Sequence, residues 1–187
     1  MEKKNFKIYG MVLAAVFLLA LSSCGKGKVF EIQSAAFKND ERVPDKYYHG
    51  NAAGRENISL PFKWKNPPDG TKSFALILYN EHHSRTHWAV FNIPATCSEI
   101  AENASGKNMP VGSIELPNYF RTAGYGGLEP PAQKTMTHAY VAVIYALNTE
   151  TITLPDTGIY KAFVDLKSIL DGKIIAKAEI HCIASLE

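Results

Sequence analysis

Long apolar runs are scarce in this 187-residue chain: the longest, Met-Val-Leu-Ala-Ala-Val-Phe-Leu-Leu-Ala-Leu over residues 11–21, is shorter than the roughly 20 residues that cross a bilayer. A spanning helix is therefore not expected. Cysteine is equally scarce, with three in all at positions 24, 97 and 182, and this spacing is not that of a zinc site. Excess charge is also missing. Twenty Lys and Arg stand against 18 Asp and Glu, and no basic tract marks a nucleic-acid partner. Neither an internal repeat nor a low-complexity tract is present. Ser84, near His87, has no nucleophile-elbow motif around it, no Ser/His/Asp set can be ordered, and Cys97 and Cys182 have no evident histidine partner. The chain is expected to be no enzyme and to carry no cofactor.

What is present begins with an export signal. Lys3, Lys4 and Lys7 precede the apolar run, and Ser22-Ser23-Cys24 closes it with small residues and a thiol. Leu21-Ser22-Ser23-Cys24 resembles the bacterial lipobox, in which cleavage leaves the cysteine as a lipidated N-terminus. The expected organisation is a signal peptide over 1–23, a lipidated tether over 24–28 and one domain over 29–187, enough chain for a real core. Loss of residues 1–23 removes three lysines and one glutamate, so the formal charge falls from +2 to about 0. Lipid on Cys24 implies a bacterial cell-envelope protein. Gly25 after the cysteine points to the outer membrane in a host with two membranes. An exported compartment also permits a disulfide between Cys97 and Cys182, with two buried thiols as the alternative.

The rest of the chain reads mainly as strand. Residues 73–79, 86–93 and 138–147 are apolar or aromatic runs, and 29–35, 60–65 and 178–186 alternate. A helix is expected where Ile159, Ala162, Phe163, Leu166, Ile169 and Leu170 follow three-and-four spacing, ending at Gly172. These patterns predict an antiparallel β-sandwich with a few peripheral helices. Residues 95–133, rich in Gly, Asn and Pro, read as a long loop laid over the sheet.

Residues 76–95 concentrate the polar chemistry: Glu81, His82, His83 and His87 fall within seven positions. All four are possible metal ligands. Yet His87 begins a strand, and adjacent His82 and His83 point apart if the chain is extended, so no metal site is expected.

Five motifs then occur in order: Asn57-Ile-Ser-Leu-Pro-Phe-Lys-Trp64, Pro68-Asp-Gly-Thr-Lys-Ser-Phe-Ala-Leu76, His87-Trp-Ala-Val-Phe-Asn-Ile-Pro94, Tyr125-Gly-Gly-Leu-Glu-Pro-Pro131 and His138-Ala-Tyr140. On these the chain resembles the phosphatidylethanolamine-binding protein (PEBP) family, in its bacterial Raf-kinase-inhibitor-like branch, over nearly everything from Val29 onward. The resemblance implies a PEBP-like β-sandwich of Greek-key type with flanking helices. It also implies a small pocket at one end of the sheet for phosphate-like anions or phospholipid head groups.

By motif position the pocket residues are His87, Pro130, Pro131, His138 and Tyr140. Imidazole and phenol would donate hydrogen bonds to phosphoryl oxygens, and the prolines would form a rigid wall. The chain departs from the family where Asp-Pro-Asp is usual and Asn80-Glu81-His82 stands instead. Both acidic pocket residues are lost, so recognition of an ammonium group should weaken and a simple anion should be repelled less. Asn80 keeps hydrogen-bonding capacity, His82 can bring a titratable cation, and Glu129 can return a negative charge to the rim. His87 carries the strongest claim and His83 almost none. If His82, His87 and His138 share the pocket, anion affinity should rise as pH falls through about 6.5. A cell-envelope protein-interaction or inhibitor module with a vestigial pocket is the competing reading, ahead of a metal-binding protein.

Overall fold

The computed structural model describes residues 28–133, 135–154 and 163–186. The export signal, Cys24, nearly all of the tether and the first part of the expected helix lie outside these residues.

Three long strands form the centre. β4 (Ser73–Asn80), β5 (Arg85–Pro94) and β8 (His138–Leu147) lie side by side, with β9 (Ile174–Ala184) along the outer edge of β8. Their apolar runs are nearly continuous because both faces are covered. On one face Leu76, Leu78, Trp88, Val90, Ala142 and Ile144 meet Ile32, Phe62, Trp64 and Ile100 of a small second sheet. That sheet consists of β1 (Glu31–Gln33), β3 (Phe62–Lys65) and β6 (Glu99–Ile100), in the order β1-β3-β6. On the other face Ala75, Ile77, Ala89, Phe91, Val141 and Val143 meet Leu166 and Leu170. These two leucines are one turn apart on α1 (Phe163–Leu170), so they share the face turned to the sheet. Gly172, at a φ of 71°, follows the helix in the left-handed conformation that favours glycine after a C-terminus.

The six-stranded sheet has the order β2-β9-β8-β4-β5-β7, completed by β2 (Glu41–Arg42) and β7 (Ile114–Glu115) at its edges. The architecture is the sandwich expected, mainly β and antiparallel except for the edge pair β2–β9, which is parallel. Two differences from the sequence reading concern boundaries. β9 begins four residues earlier than 178, and the long loop contains the two-residue strands β6 and β7.

The register gathers one end of the sheet. Asn80 pairs with Arg85 across the β4–β5 turn and with Tyr140 on β8, and Tyr140 pairs with Cys182 on β9. Everything described next is built on that end.

Candidate functional site

Two glycines dictate how the long loop seals the sheet end. A Cβ on Gly126 would lie 2.7 Å from Phe120 Cδ2, and one on Gly127 would lie 2.6 Å from the Tyr48 backbone carbon. A side chain at Gly126 would displace the Phe120 and Asn118 side chains, and one at Gly127 would force backbone to shift. The loop thereby brings the Gly126 and Gly127 carbonyl oxygens to 3.1 and 3.0 Å from His87 Nδ1. Carbonyls only accept, so Nδ1 carries the proton and donates. In the neutral ring Nε2 is then the lone-pair nitrogen. His87 is 1% exposed, and burial lowers its pKa below 6.5 despite these two bonds. Edge-on contacts with Phe120 and Tyr140 complete its enclosure.

Tyr140 and Asn80 are equally committed. The Tyr140 hydroxyl donates to the Glu129 carbonyl and accepts from the Glu129 amide, both at 3.0 Å. Burial pushes its pKa up to about 12, so it stays a neutral phenol. Asn80 is buried, and its Oδ1 accepts from the His82 and His83 amides at 2.9 and 3.1 Å, closing the turn over 81–84. The neutral amide therefore does a structural task at a position where a carboxylate would bring a buried charge.

In front of this wall lies an open cleft of about 570 Å³, lined by Arg55, Arg85, Glu129, Pro130, Pro131, Ala132, His138 and Leu186. Four residues singled out in the sequence (Glu129, Pro130, Pro131 and His138) thus meet on one surface. His87, Tyr140 and Asn80 do not line it. They are buried beside it: His87 Nδ1 and the Tyr140 hydroxyl are held by the loop backbone and Asn80 Oδ1 by the turn amides, while His87 Nε2 remains the lone-pair nitrogen of the neutral ring. His138 Nδ1 donates to the Glu129 carbonyl at 2.8 Å. Arg85 stacks over the Tyr119 ring, 4.3 Å from its centroid, and its guanidinium lies 3.9 Å from the Glu129 carboxylate. Arg55 is held by its Nη1 donating to the His49 carbonyl at 3.3 Å.

Both arginines escaped the sequence reading. Arg85 lies between His83 and His87, and that adjacency was its only signal; Arg55 comes from a loop thirty residues upstream with none.

The Cys97–Cys182 disulfide is corrected: both thiols are free. Cys97 follows Pro94, which pairs with Ser73, whereas Cys182 pairs with Tyr140 opposite Asn80. Ser73 and Asn80 are the two ends of β4, roughly 23 Å apart at about 3.3 Å per residue. A disulfide needs Cα atoms within about 7 Å. Burial raises the Cys182 thiol pKa far above its ordinary value.

The family profile for phosphatidylethanolamine-binding protein matches residues 33–184. A UPF0098 protein of Aquifex aeolicus is 34% identical over 157 residues, covering 82% of this chain and 87% of the relative. UPF0098 protein YbcL of Escherichia coli is 30% identical over 177 residues, covering 90% and 94%. The crystal structure of E. coli YbcL, described as a new member of the mammalian PEBP family, superposes with a TM-score of 0.74 at 28% identity over 84% of this chain and 99% of that one. A PEBP homologue from Chlamydia trachomatis, CT736, superposes with a TM-score of 0.67 at 26% identity, covering 84% and 98%.

Proposed function

The chain belongs to the phosphatidylethanolamine-binding protein family, and from that premise we propose that it binds a phosphate-type anion, free or as a phospholipid head group, without catalysis. One observation carries the reading: Arg55, Arg85 and His138 share a cleft with a single carboxylate among the described residues, Glu129. A guanidinium offers a fork of donors matched to phosphoryl oxygens. Arg85 is held by Tyr119 and Arg55 by the His49 carbonyl, so less side-chain freedom is lost on binding. Pro130 and Pro131 add a wall with little entropy to lose. With Asn80 neutral behind the cleft, Glu129 is its one carboxylate for an ammonium group among the described residues, and Arg85 already lies against it.

Lipid on Cys24 would hold this cleft at the bacterial cell envelope, on the outer membrane in a host with two membranes. Replacing Cys24 with serine should abolish incorporation of labelled palmitate and release the protein from the membrane fraction. Continued labelling would reject the anchor.

Calorimetric titration with inorganic phosphate, phosphoethanolamine, sulfate and short-chain phospholipid micelles tests the ligand. Phosphate and phosphoethanolamine should bind alike, and Arg55→Ala or Arg85→Ala should weaken both by about tenfold or more, the scale of a charge-assisted hydrogen bond. Binding only to micelles would assign the head group as the ligand. Clear preference for the amine-bearing ligand would overturn the neutral-wall reading. Absence of any anion binding would leave an envelope interaction module.

A further inference from the structure

Three of the six histidines gather at the lip beside the cleft. His82 and His83 stand on the turn between β4 and β5, and His138 opens β8. Their ring centroids are 6.1 Å apart for His82 and His138, 5.7 Å for His83 and His138, and 6.5 Å for His82 and His83. The turn is not extended, so the two adjacent side chains are not sent to opposite faces, as the sequence alone implied.

Two sets of bonds hold this grouping. Asn80 Oδ1 pins both turn amides from beneath, and the Glu81 amide donates to the Ala139 carbonyl at 3.0 Å, tying the turn to β8. His138 Nδ1 donates to the Glu129 carbonyl, which leaves Nε2 as the lone-pair nitrogen of the neutral ring. A ring N–H bonded to a backbone carbonyl is the arrangement that orients metal-bound imidazoles.

We propose that His82, His83 and His138 together bind a divalent late transition-metal ion of the zinc or copper type. In the positions the side chains adopt, no group of three His, Cys, Asp or Glu among the described residues is ready to hold an ion. The movement needed is small. Three imidazoles at about 2.0–2.1 Å from one tetrahedral ion place their ring centroids roughly 5 to 6 Å apart, within about 1 Å of the spacings here. His82 and His83 are exposed, so rotation about χ1 and χ2 meets little packing. Imidazole ligands favour zinc, copper or nickel over magnesium or calcium. The neighbouring carboxylates face other partners, Glu81 at 3.3 Å from His181 and Glu129 at 3.9 Å from Arg85, so the donor set is three nitrogens with an open position for water.

The test uses the tag-free protein, titrated with Zn2+ by calorimetry and with Cu2+ by electron paramagnetic resonance. One ion per chain should bind, with nitrogen hyperfine structure in the copper spectrum. His82→Ala, His83→Ala and His138→Ala should each weaken Zn2+ binding by at least about tenfold, with the metal-free melting temperature near that of the wild type for the two exposed turn residues and modestly lower for His138→Ala, which loses its bond to the Glu129 carbonyl. His181→Ala, outside the trio, should leave Zn2+ binding unchanged. Lack of binding at millimolar Zn2+, full affinity in His138→Ala, or loss of binding in His181→Ala would each overturn the proposal. The phosphate titration stands apart from this one: Arg55→Ala should weaken phosphate and leave Zn2+ binding intact, so failure of either reading is visible by itself.

Discussion

The sheet end presents a buried layer and an exposed one, and histidine behaves differently in each. In the inner layer His87, Tyr140 and Asn80 are buried; His87 Nδ1 is engaged by the Gly126 and Gly127 carbonyls, the Tyr140 hydroxyl by the Glu129 backbone, and Asn80 Oδ1 by the 81–84 turn. In the outer layer His82 and His83 are exposed, while His138, Arg55, Arg85 and Glu129 face a cleft. A buried polar group must be satisfied by fixed partners, which removes it from ligand chemistry. A group at the surface keeps free donors or lone pairs. The difference teaches that position in a family motif and exposure are separate properties: His87, the residue with the strongest motif claim, is as fully buried as Tyr140 and Asn80.

The contrast breaks most severely at the loop that separates the layers. Gly127→Ala should force apart the His49 and Tyr48 backbone and cost about 3 kcal/mol, read from the urea unfolding midpoint. A loss below about 1 kcal/mol would mean that the loop accommodates a side chain and is not a rigid seal.

Tyr140→Phe removes the acceptor of the Glu129 amide and one donor to its carbonyl, so stability should fall by about 1 to 2 kcal/mol. If Tyr140 is wall rather than lining, phosphate affinity should change far less in this variant than in Arg85→Ala. The reverse ranking in paired titrations would return Tyr140 to the cleft.

Asn80→Asp places a negative charge in the inner layer. Phosphate affinity should drop by about tenfold through repulsion across the wall, and His87 should become easier to protonate. Calorimetry at pH 7.5 and the imidazole carbon shifts of His87 measure the two effects independently.

The smallest expected effect is a slope. The folded-state pKa of His87 lies below 6.5, so between that value and 6.5 the unfolded chain binds more protons and stability rises with pH. Stability from this group is complete above about pH 6.5 and declines as pH falls toward the folded pKa. His87→Gln should flatten the dependence between pH 5 and 8 relative to wild type. An unchanged slope would show that another group sets it.

Much of the fold is legible in the sequence because burial on both faces writes itself as uninterrupted apolar chain. The limits of β8 follow from its apolar and aromatic run, and those of β4 and β5 are met to within a residue at each end. β9 was read to begin late because its first four residues, Ile174 to Lys177, show no buried–exposed alternation, which starts at Ala178; it was also read to run two residues past Ala184. The two-residue strands β2, β6 and β7 are too short to carry a pattern and exist only through their neighbours.

The site divides along the same line. Glu129-Pro130-Pro131 and His138 are local motifs that fold into one surface. The sequence by itself determined the family and the sandwich, since each is a matter of residue type, order and hydrophobic period. Only the tertiary structure decided which groups are free to act. It enclosed His87 behind two glycine carbonyls, brought Arg55 and Arg85 to the cleft, separated Cys97 from Cys182 by the length of a strand, and set His83 beside His138. Burial, side-chain direction and contact across large sequence separations arise when the chain closes on itself, and no local pattern encodes them.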